Sequence, residues 1–167
     1  IFSIFLVQKA VKNYGKMQQF DGYVHAWTDG SCPGNGLNAT RGGRGVYFKD
    51  NTSWNISERV DGPTTNSEME IQAARRACEI ARSHGVRRLK IHTDSEFLVN
   101  SVNDLMHTWK QNGWRKTDGS SVVNKDDFQA LDRAMSGMDV KFEHVRGHAG
   151  NYENTQADLL ARKAAGI

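Results

Sequence analysis

The chain has 167 residues, 38% of them hydrophobic and 25% charged, and its 22 Lys and Arg against 19 Asp and Glu give a formal net charge of +3. That length suits one domain with an N-terminal piece to spare, and so mild a charge does not by itself argue for nucleic acid. Two cysteines, Cys32 and Cys78, build neither a disulfide framework nor a metal knuckle, so free thiols in a reducing, intracellular compartment are expected.

Residues 1–7, IFSIFLV, are apolar, but the run is far shorter than the ~20 residues of a spanning helix, so no membrane segment is expected. Residues 1–20 carry Lys9, Lys12 and Lys16 and no acid. They read as a tail, a linker or a processing remnant, compatible with a transit peptide, ahead of a domain at 21–167. Residues 23–36, YVHAWTDGSCPGNG, begin as a strand that delivers Asp29 into a loop rich in glycine. Alone, such an Asp is most simply a turn former or cap, and only the rest of the chain changes that reading.

Residues 44–50 (RGVYFKD) and 54–60 (WNISERV) look like two further strands joined through Asp50, Asn51 and Thr52, which makes an antiparallel meander. After Asp61-Gly62-Pro63, Thr65 or Asn66 can cap a helix whose apolar stripe is Met69, Ile71, Ala74, Ala77, Cys78 and Ala81; Gly85 ends it. Glu70 lies beside that stripe and can point along a sheet rather than into water. Residues 86–93 (VRRLKIHT) form the next strand, Asp94 follows at once, and Ser95 can cap the helix that starts at 96. A strand, a long helix and a second strand imply a parallel crossover, so Asp29 and Asp94 emerge side by side from one sheet edge.

Residues 109–116 (WKQNGWRK) interleave Trp109 and Trp114 with Lys110, Arg115 and Lys116. The pattern suits stacking on bases or sugars with cations on phosphates, and it equally suits a surface corner with half-buried tryptophan. Residues 124–135 form an amphipathic helix, 140–144 a last strand and 151–164 a closing helix. In the intervening VRGHAG, His148 sits between small residues and titrates near neutral pH, which fits proton work.

Four motifs together, TDGS around Asp29, TTNSEMEI around Glu70, TDSEF around Asp94 and GHAGNYENTQADLLAR around His148 and Asp158, resemble type 1 ribonuclease H. The resemblance runs over residues 23–164. WKQNGWRKTDG, VVNKDDFQAL and GMDVKFEHVRGH look closer to the cellular enzymes of eukaryotes than to retroviral domains. It implies an α/β fold with a five-stranded mixed sheet in the order 3-2-1-4-5 flanked by helices. It further implies Asp29, Glu70, Asp94 and Asp158 as catalytic carboxylates on two Mg²⁺ ions, with Mn²⁺ an alternative, and His148 as a mobile proton shuttle. Four acids match the charge of two hard cations about 4 Å apart, and without metal they would repel one another.

The activity so implied is hydrolysis of the RNA strand of an RNA/DNA hybrid to 5′-phosphate and 3′-hydroxyl ends, largely independent of sequence. The alternatives are an inactive hybrid- or RNA-binding module and another nuclease of the wider superfamily. The resemblance assigns RNA-strand 2′-hydroxyls to Asn35, Asn66 and the backbone around Cys32 and Gly34. It assigns a DNA phosphate to Thr65 and Asn124, deoxyribose to Trp109, and a basic protrusion to Lys110, Trp114, Arg115 and Lys116. Four positions depart from the pattern: Pro63, Ser67 and Glu68 replace residues that contact nucleic acid, and Leu105 replaces an aromatic, so a weaker or more salt-sensitive grip is expected. A monomer is expected, in the nucleus or mitochondrion if the source is eukaryotic and in the cytoplasm otherwise. No separate hybrid-binding module is expected within these residues.

Overall fold

Alternation along the first strand sorts its side chains onto two faces, and each face recruits a helix. The computed structural model describes residues 21–35, 38–147 and 151–167. Strands β1 (Val24–Ser31), β2 (Arg41–Phe48) and β3 (Ile56–Asp61) form the antiparallel meander. Helix α1 (Asn66–Ser83) crosses to β4 (Arg88–Thr93), which lies parallel to β1. Then follow α2 (Glu96–Asn100), a π-helical turn at Ser101–Leu105, α3 (Met106–Gln111), α4 (Lys125–Met135), β5 (Asp139–His144) parallel to β4, and α5 (Tyr152–Ala165). The strand order is β3-β2-β1-β4-β5, as the resemblance implies.

The larger core lies on one face, where Ala26, Val46, Phe48, Leu89 and Ile91 meet Ile71, Ala74, Ala77, Cys78 and Ala81 of α1, with Leu98, Phe128 and Leu131 alongside. On the other face Trp27 and Tyr47 pack under Ala157 and Leu160 of α5. Trp27 also stacks on His92 of β4, with ring centroids 4.4 Å apart and planes 13° apart. His92 in turn shares a 2.8 Å hydrogen bond with His25.

Glycines set how closely the helices approach. A Cβ on Gly43 would lie 2.7 Å from the Ala165 nitrogen, and one on Gly45 would lie 2.6 Å from the Ala161 nitrogen, so α5 rests directly on β2. Gly45 is the register partner of Asp29, and this contact therefore lays the closing helix over the strand pair that holds that acid. On the opposite face a Cβ on Gly30 would lie 2.5 Å from the Glu70 nitrogen, so α1 crosses β1 just past Asp29.

The fold departs from expectation at three places. The ladder between β1 and β2 continues to Ser31 and Gly43, so Asp29 stands inside a strand and not in the loop beyond it. Residues 52–54 form a single 3-10 turn. Trp54, expected to begin a strand, packs its ring 4.0 Å from His84. The helix begun at Ser95 does not run on evenly, because the π turn intervenes before α3. Cys32 and Cys78 are free and buried, and burial pushes the Cys78 thiol up to about 12. Among the described residues no helix is long and apolar enough to cross a membrane.

Candidate active site

Three acids converge because three elements end or cross at one place. Asp29 on β1, Glu70 in the second turn of α1 and Asp94 immediately after β4 each offer one carboxylate oxygen, and these oxygens lie within 4.8 Å of one another. The Gly30 N–H donates to Asp29 Oδ1 at 2.9 Å, and its dipole beside Glu70 works against the larger effect of burial there. Asp158 reaches Asp29 from α5, and its Oδ2 lies 3.9 Å from Arg162 Nη1 one turn later.

Burial first, then the charges of Asp94 and Asp158, push the Asp29 carboxyl up to about 8. Glu70 is also held well above the usual carboxylate range, by burial and by the adjacent Asp29. Glu70 Oε2 is buried with no hydrogen-bond partner. An all-oxygen set, mutual repulsion and an orphaned carboxylate oxygen are what a hard divalent cation would relieve, so the residues fit a metal site.

The loop after β1 meets the start of α1. Asn35 Oδ1 accepts from the Asn66 N–H at 3.4 Å, and Cys32 Sγ donates to the Thr64 carbonyl at 3.3 Å. Gly34 and Asn35 both take positive φ, 85° and 42°, which turns the chain toward α1. Thr65 is occupied as the cap of α1, accepting from the Glu68 N–H at 3.1 Å, while Glu68 Oε2 accepts from the Thr64 hydroxyl at 2.9 Å. A cavity of about 510 Å³ opens here between Asn38, Thr40, Pro63, Thr64, Thr65 and Glu68.

On the far side of α1, Asn124 sits at the start of α4 in the left-handed region, φ 59°. The first turn of α4 is tied to α1 by the Gln72 amide donating to Asp127 Oδ1 at 3.2 Å. Trp109 and Trp114 are half-buried, with ring centroids 6.4 Å apart and Trp109 5.2 Å from Phe128. Packing thus claims part of each tryptophan and leaves the rest exposed. Lys110 pairs with Asp132 at 3.0 Å, Arg115 donates to the Gly119 carbonyl at 3.1 Å, and Lys116 stands exposed in the turn closed by the Arg115–Ser121 bridge. His148 lies outside the described residues.

Two residues went unnoticed in the sequence. Phe97, three positions after Asp94, is 44% exposed and stands edge-on to Phe128 at 5.8 Å, so it joins the aromatic row of Trp109 and Trp114 through that ring. Its signal was an aromatic in the first turn after the Ser95 cap. Asn154, four positions before Asp158 on α5, is buried and donates its amide to Asp94.

The RNase H family model matches residues 21–166. The chain is 41% identical over 143 residues to ribonuclease H1 of Homo sapiens, covering 86% of this chain and 50% of that protein. It is 37% identical over 141 residues to ribonuclease H of Rhizobium meliloti strain 1021, covering 84% and 89%. The chain thus spans about half the length of the human relative and most of the bacterial one. Among solved structures, LC9-RNase H1, described as a type 1 RNase H with the type 2 active-site motif, aligns with a TM-score of 0.70 at 31% identity, covering 86% of this chain and 72% of that one. LC11-RNase H1 in complex with an RNA/DNA hybrid aligns with a TM-score of 0.62 at 21% identity, which bears on the fold alone.

Proposed function

Because the chain belongs to the RNase H family, we propose that residues 21–167 form a catalytic domain that hydrolyses the RNA strand of RNA/DNA hybrids, leaving 5′-phosphate and 3′-hydroxyl ends. The observation that carries this reading is the convergence of Asp29, Glu70 and Asp94 within 4.8 Å, with Asp158 on α5 outside that group but near enough for its charge to act on Asp29. Those four carboxylates would hold two Mg²⁺ ions, Mn²⁺ being compatible with the same oxygens. Bound there, the metal supplies acidification of a water and charge stabilisation at the departing 3′-oxygen.

The chain's own residues do the positioning. Gly30 orients Asp29 through its N–H, and the close seat of α5 on Gly45 carries Asp158 near enough for its charge to act on Asp29. Asn35 and Asn66, already in contact, offer donors and acceptors to 2′-hydroxyls of the cleaved strand. Phe97, Trp109 and Trp114 present ring surface to the deoxyribose side, and Lys110, Arg115 and Lys116 meet phosphates without reading bases. His148 serves proton transfer and product release, modulating the rate without being indispensable.

The test is cleavage of a labelled RNA strand in a hybrid, with and without Mg²⁺, beside Asp94→Asn and a DNA duplex. Metal-dependent cutting of the hybrid alone, lost in the variant, is the expected result. Binding without cutting would make the chain a hybrid-binding module, and cutting of duplex DNA would place its substrate elsewhere in the superfamily.

A further inference from the structure

Asp94 is held differently from the other acids. Asp29 Oδ1 is held by the Gly30 N–H, whereas Asp94 Oδ2 faces Asn154 Nδ2 at 3.5 Å on one side and the bare backbone of Gly147 on the other, where an added Cβ would lie 2.8 Å from that oxygen. Asn154 is only 5% exposed, and its Oδ1 is buried with no partner. Its own N–H is satisfied by Asn151 Oδ1 at 2.9 Å, so the side-chain amide is spare for a task other than capping. It lies one helical turn before Asp158, hence on the same face of α5.

Burying an amide with half its hydrogen-bonding capacity unused is costly, and a position that needed only volume would be filled better by an apolar residue. We propose that Asn154 is a positioning residue that turns Asp94 toward the metal site and locks it to the α5 face carrying Asp158. The donated hydrogen bond occupies Asp94 Oδ2 and leaves Asp94 Oδ1 for the metal site, with the buried, unpartnered Oδ1 of Asn154 as a further acceptor beside it. The 3.5 Å separation leaves room for the contact to tighten when the acids are neutralised. Partners that orient a metal-binding carboxylate typically cost 10–100-fold in metal affinity or activity when removed.

This inference rests on the metal-site reading above but not on the choice of substrate, and two readouts keep them apart. The first is the Mg²⁺ concentration at half-maximal rise of the thermal unfolding temperature, measured without nucleic acid. The second is the Mg²⁺ dependence of hybrid cleavage. Asn154→Ala and the near-isosteric Asn154→Leu are both compared with wild type, so that the Leu variant preserves packing if Ala does not fold. Both variants are expected to move the Mg²⁺ midpoint upward by about 10-fold or more, with the KM for hybrid little changed. Restoration of the wild-type midpoint by Leu would reduce Asn154 to space filling and overturn the proposal, as would unchanged midpoints in both variants. A protein that shows the Mg²⁺-dependent thermal shift but cuts no hybrid would leave the positioning role standing and overturn the proposed substrate.

Discussion

At Asp29 the fold holds a carboxyl that burial and two neighbouring acids push up to about 8. A group whose folded pKa exceeds its ordinary value near 4 binds its proton more tightly in the native state. Its contribution is complete below about pH 4 and lost as pH rises through about 8, so metal-free stability falls over that interval. Asp29→Asn removes the titration. Its metal-free unfolding temperature at pH 8 is expected above wild type, by on the order of 1–2 kcal/mol of stability, with the gap closing at pH 5. Melts at the two pH values check this, and a variant less stable than wild type at pH 8 would refute stored repulsion. Glu68 sets a second residue-scale expectation. Its carboxylate lines the cavity beside Thr65, where it would repel a phosphate of the proposed hybrid. Glu68→Gln keeps an oxygen for the Thr64 hydroxyl but removes the charge, and should lower the KM for hybrid about 3- to 10-fold; an unchanged KM would mean that no phosphate comes near.

At the scale of elements, the decisive contact is α5 on β2. Gly45→Ala forces a methyl group against the α5 backbone and should cost about 1–3 kcal/mol of stability by overpacking. Because α5 carries Asp158, the same variant should lose cleavage out of proportion to its loss of fold, seen by assaying well below its unfolding temperature. Retained activity would show that Asp158 tolerates a displaced helix. This contact also explains what could and could not be read from sequence. The juxtaposition of Asp29 and Asp94 was legible, because two strand-end acids and a crossover helix leave little choice of topology. The start of β2 was not. Gly42 and Gly43 weaken strand propensity and read as loop, whereas in the sheet they are strand residues; the missing side chain of Gly42 makes room for Met69 of α1, and that of Gly43, with Gly45, admits α5. Asn154 in the first turn of α5 looked like an ordinary cap-region residue, and its burial against Asp94 is tertiary information.

For the molecule as a whole, the acids gather at one end of β1 and β4, while the cations proposed to grip nucleic acid stand at the end of α3 and on the turn after it. Chemistry and grip are therefore carried by different parts. Grip without base contacts is ionic, with log affinity falling linearly in log salt by about 0.7–0.9 per phosphate contact. Lys116→Ala is expected to lower that slope by about one unit, equally for hybrids of unrelated sequence, in titrations across KCl concentrations. A slope that changed for one sequence only would point to base recognition. The stack of Trp27 on His92 places an indole two residues from Asp29 and its partner ring two residues from Asp94. In a variant that keeps Trp27 alone of the four tryptophans, emission is expected to follow the charge of both acids, an intrinsic optical gauge of the filling of the site without label or substrate.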